Sequence, residues 1–91
     1  MSIMTTTPRP ARTLDETLDA NPVVVYDTMR EAANRLISKH IARGRRTGDR
    51  AAEAPAIRGI WDQADAVDIH DLDAQRALRD EFEHRRAAFD D

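Results

Sequence analysis

Three histidines and an excess of aspartates supply most of the metal-binding and proton-transfer chemistry open to this 91-residue chain. His70-Asp71 sets two ligand types side by side, and Asp80 and His84 stand four residues apart, a spacing that puts two ligands on one helix face. A metal centre of that kind needs further His and Asp ligands from several more helices, which so short a chain does not supply. The histidines are therefore expected to be solvated or to lie on helix faces, with His40 a helix-end cation when protonated. Nucleophilic catalysis has no candidate: cysteine is absent, and Ser2 and Ser38 lie in no elbow motif and beside no His-Asp pair. Any two of the 17 acidic residues could be paired on paper, but without a burial pattern the choice is arbitrary. The expectation is a protein that is not an enzyme and holds no metal or cofactor.

Charge points instead to binding. Residues 22–50 carry seven basic and three acidic side chains, residues 51–91 five and eleven, so a net charge of −3 conceals a basic middle and an acidic C-terminal half. Arg35, Lys39, Arg43, Arg45, Arg46 and Arg50 form a run suited to phosphate or nucleic-acid contact. The plainer alternative is a solvated helix end paired with the acidic half. Nucleic-acid recognition is disfavoured by a pI of about 5.5 and by the lack of aromatic residues in the run. The ten residues between Gly44 and Pro55 also exceed the turn of a helix-turn-helix. Asp62, Asp65, Asp68, Asp71 and Asp73 form an acidic string that lacks the glycine and the spacing of a calcium loop. Helix capping and solvation explain it, and so does docking on a basic protein surface. Trp61 at its edge and Phe89 in the last predicted turn are the aromatic residues placed to anchor a partner, while core packing is the alternative for both.

Helices must position these groups. Residues 1–12 are rich in Thr and Pro and read as an extended, flexible arm, with residues 13–91 a single helical domain. Thr13 and Glu16 have capping-box spacing and begin a short helix over 14–20 with Leu14 and Leu18 on one face. Asn21-Pro22 is a strong helix start. Tyr26, Met29, Ala33, Leu36 and His40 then recur at three- and four-residue steps, predicting a helix over 22–43 that Gly44 stops. The run Val23-Val24-Val25 would suit a short strand equally well. A loop over 44–54 follows, and Pro55 restarts a helix carrying Ile57, Ile60, Trp61 and Ala64. Val67 and Ile69 are expected to pin the next connection, which Asp68 or Asp71 ends by capping a helix with Leu72, Gln75, Leu78, Phe82, Arg85 and Phe89 in heptad-like steps. The first and last long helices are expected to pack as an antiparallel pair.

The fold class is therefore all-α, a small bundle of three to four helices with an N-terminal arm. Fifteen of its hydrophobic residues are alanines and only 19 larger apolar side chains fall between Leu14 and Phe89, so the core is small and help from a partner or a homodimer is expected. Cysteine-free composition and the lack of a signal-like or membrane-length apolar run predict a cytoplasmic protein off the membrane. In size, acidity and cysteine-free helical character the chain resembles the small antitoxins of bacterial toxin-antitoxin pairs. The resemblance is one of outline and carries no motif. It implies an adaptor or inhibitor that neutralises or organises a protein partner, through Trp61, Asp62, Asp65, Asp68, Asp71 and Phe89. A nucleic-acid regulator using residues 35–50 is the rival reading, and a phage or plasmid structural component a third.

Overall fold

The computed structural model describes residues 21–89, which form three α-helices, α1 (Pro22–Thr47), α2 (Arg50–Ala66) and α3 (Leu72–Ala87), with no strand among the described residues. The arm and the short helix expected over 14–20 lie outside the described residues. Local chemistry accounts for each helix start. The Asn21 side chain accepts from the Val23 and Val24 amides at 3.0 and 3.4 Å, and Pro22 fills the first helical position. Asp49 and Asp71 repeat the device, accepting from Ala52 at 3.1 Å and Ala74 at 3.0 Å. The valine run is helical because this cap and the burial of Val25 outweigh its modest β-preference.

Gly44 does not end α1. The helix continues for three more residues and closes at Gly48, whose φ of 75° is the left-handed conformation glycine adopts without a Cβ penalty. Gly44 serves a different purpose, because α2 begins against it: a Cβ there would meet the Arg50 Cα at 3.2 Å. The loop expected over 44–54 shrinks to Gly48-Asp49, and Pro55 lies inside α2 instead of starting it.

Arg30 reaches Asp65 while His40 reaches Glu53, so α2 runs back along α1 as an antiparallel hairpin. The helix α3 then turns again and brings Phe89 against His40, so it runs in the same direction as α1. The expected contact between the first and last helices is present, but its antiparallel sense is not: the hairpin partner of α1 is α2. Both helices pack on α1 and bury Met29, Ala32, Ala33, Leu36, Ile37, Ile60, Ala64 and Phe82, with Tyr26, Trp61, Val67, Leu78 and Phe89 half-buried around them. Among the described residues no helix is long and apolar enough to cross a membrane.

Core and glycine substitutions test this packing. Phe82→Ala should cost about 3–5 kcal/mol in denaturant unfolding, because it empties a fully buried site. A Cβ at Gly59 would meet nothing within 4 Å, so Gly59→Ala should stabilise α2 by about 0.5–1 kcal/mol. Gly44→Ala should give up that gain to its contact with Arg50, and equal stabilisation by both alanines would refute the close approach of α1 and α2.

Candidate functional site

Charged groups collect at the two ends of the helix hairpin. At the end where α1 meets α2, Glu53 is buried and shared by two residues of α1. His40 Nδ1 lies 2.7 Å from its Oε1, and Arg43 donates from Nε to Oε2 and from Nη2 to Oε1, both at 3.0 Å. The hydrogen bonds from Arg43 and then His40 pull the Glu53 carboxyl down to about 2, against the opposing effect of burial. An ionised carboxylate only accepts, so the proton in the short contact sits on His40 Nδ1. Phe89 covers the group, with its ring centroid 4.9 Å from His40 in a T-shaped arrangement and the Arg43 guanidinium 4.7 Å above its face. His40 is thus a buried partner of Glu53 inside α1, about two turns before the helix ends at Thr47, and does not lie at the helix end as expected. Glu53 carries no sequence signal of its own, since its pairing depends on the reversal at Gly48.

The six basic residues of the run divide. Arg43 is committed to Glu53, and Arg35 pairs with Glu31 one turn away at 3.0 Å. Lys39 and Arg46 also have interactions of their own. Arg45 and Arg50 flank a cleft of about 220 Å³ between α1 and α2, together with Ile41, Ile57 and the edge of the His40–Glu53 pair. Neither of these two guanidiniums has a hydrogen-bond or ion-pair partner among the described residues.

The acidic string occupies the opposite end, and its members have distinct tasks. Asp65 accepts from Arg30 Nη1 at 2.8 Å, and the same guanidinium lies 4.8 Å from the Trp61 ring centre, so Trp61 is half-buried under a cation. Asp68 accepts from the His70 amide at 2.8 Å, Asp71 caps α3, and Asp62 is exposed on α2. Phe89 sits at the far end beside His40, so the two aromatic residues do not share a surface with each other. The large apolar residue exposed within the string is Ile69, at 51%. Val67 packs on the core as expected, whereas Ile69 does not.

The turn carrying Ile69 is held from beneath. Gln75, fully buried, donates through Nε2 to the Asp68 carbonyl at 3.0 Å and to the Ile69 carbonyl at 2.6 Å, and the Asp71 amide donates to the Asp68 carbonyl at 2.9 Å. The side chain of Ile69 is therefore presented to solvent on a fixed backbone, with Asp68 and Asp71 beside it. The apolar heptad reading of Gln75 concealed this role, which its amide chemistry shows only once the turn lies above it.

No family model matches the sequence, and neither a characterised protein nor a solved structure gives a significant match.

Glu53 makes stability depend on acid. Its carboxyl titrates lower in the folded chain than in the unfolded one, so the unfolded state binds the proton first and stability falls as pH drops from about 4.5 towards about 2. Glu53→Gln should remove that part of the acid dependence, seen as a flatter plot of melting temperature against pH. An unchanged slope would place the acid sensitivity in other carboxylates.

Proposed function

We propose that the protein is a small helical adaptor or inhibitor that docks on a basic surface of a protein partner through the connection between α2 and α3. The observation that carries this reading is Ile69, half exposed on a turn braced by buried Gln75 and bordered by aspartates. A braced turn loses little conformational freedom on binding, so an exposed apolar side chain there contributes affinity at low entropic cost. The surrounding carboxylates favour a partner of positive potential and speed encounter more than they strengthen the complex. The core is small, so a partner that covers this end also stabilises the fold by mass action.

We assign the anchor to Ile69 in preference to Trp61 and Phe89, because both aromatic rings are half-buried beneath arginines. The nucleic-acid reading rests on Arg45 and Arg50. Its weakness is that α1 and α2 form a closed antiparallel hairpin, in which neither helix is projected as a recognition helix would be.

A photo-crosslinking residue at position 69 identifies the partner in the native host, and one at exposed position 83 on α3 serves as the control. With the purified partner, Ile69→Ser should speed dissociation about tenfold, an effect of about 1.4 kcal/mol, without changing the melting temperature. Asp62→Lys with Asp73→Lys should slow association and flatten its dependence on salt while leaving the bracing of the turn intact. Binding that is indifferent to both sets of changes excludes this face.

A further inference from the structure

The cleft at the other end has the opposite chemistry. Its walls carry Ile41, 41% exposed, and half-buried Ile57, and its rim carries Arg45 and Arg50, neither with a polar partner among the described residues. Two guanidiniums that pair with none of the described acidic residues suit an anionic occupant, and the isoleucines suit an apolar one. A bare phosphate answers only the first requirement. At about 220 Å³ the cleft is also smaller than the roughly 300–1,000 Å³ typical of small-molecule sites. An acidic peptide bearing a pair of aliphatic side chains answers both.

The chain contains such a segment. Residues 13–20, Thr-Leu-Asp-Glu-Thr-Leu-Asp-Ala, have three acidic side chains and no basic one, and Leu14 and Leu18 stand four residues apart. The segment cannot serve the cleft of its own chain. From Pro22 to Ile41, α1 rises about 29 Å, whereas Leu18 precedes Asn21 by three residues and reaches roughly 11 Å at full extension. A second copy removes that obstacle. With the two α1 helices antiparallel, the start of each lies beside the Arg45–Arg50 cleft of the other, and the exchange closes with two-fold symmetry.

We propose that the Arg45–Arg50 cleft binds residues 13–20 of a second copy of this chain, in a reciprocal homodimer. Sedimentation equilibrium of the full chain at about 100 μM and low salt should give twice the 10.3 kDa chain mass, with dissociation favoured as salt is raised. Reversing the cleft (Arg45→Glu with Arg50→Glu) or the segment (Asp15→Lys, Glu16→Lys and Asp19→Lys) should weaken the dimer at least about tenfold. The two variants mixed should recover it as a heterodimer, because like meets unlike in both clefts. Helical circular dichroism checks that the cleft variant is folded, and the segment variant tests the proposal independently of it. A monomeric parent chain, a dimer that survives both reversals, or a mixture that stays monomeric overturns the proposal. Binding of inorganic phosphate or DNA by a monomeric parent would assign the cleft to phosphate instead.

Discussion

A carboxylate taken out of water is costly unless its charge is matched and its oxygens accept hydrogen bonds, and Glu53 meets that condition only where α1 and α2 lie side by side. His40 and Arg43, three residues apart, present three donor groups from one face of α1. Glu53, four residues after the Asp49 cap, presents the acceptor from α2. The pairing sets the register of the hairpin at one end, as Arg30 with Asp65 does at the other. Phe89 then closes over His40 and Arg43, so the position of α3 depends on the same group. Gly44 completes the geometry by letting the two backbones approach where α2 begins.

Once the hairpin is in register, the charges of the chain separate by position. The basic residues after His40 fall at the Gly48 turn, and the aspartates after Trp61 fall at the connection to α3, at the other end of α2. Both ends leave large apolar side chains exposed: Ile41 within the cleft between Arg45 and Arg50 at one, and Ile69 on its braced turn together with Val23 at the start of α1 at the other. Either end offers apolar area that an occupant could bury. The chemistry differs between the ends, so the two surfaces suit different occupants, one acidic and one basic.

Much of this was determined locally and is legible in the sequence. Asn21-Pro22 and Asp71 start their helices as expected because an N-cap is made by side chains within three residues of the amides they satisfy. The core positions Met29, Leu36, Ile60 and Phe82 follow from apolar spacing, since a helix that buries one face must repeat near 3.6 residues. Only tertiary structure decided the rest. Apolar spacing and the first glycine place the end of α1 at Gly44, whereas the helix runs on to Gly48 and uses Gly44 for the close approach of α2. The direction of α3 relative to α1, the pairing of His40 with Glu53, and the role of Gln75 beneath the Ile69 turn all involve residues brought together by the reversals at Gly48 and at 67–71. Side-chain periodicity along a single helix carries no information about such encounters. Heptad-like spacing in two helices says that they can pack, whereas the length and geometry of the connections between them decide in which sense.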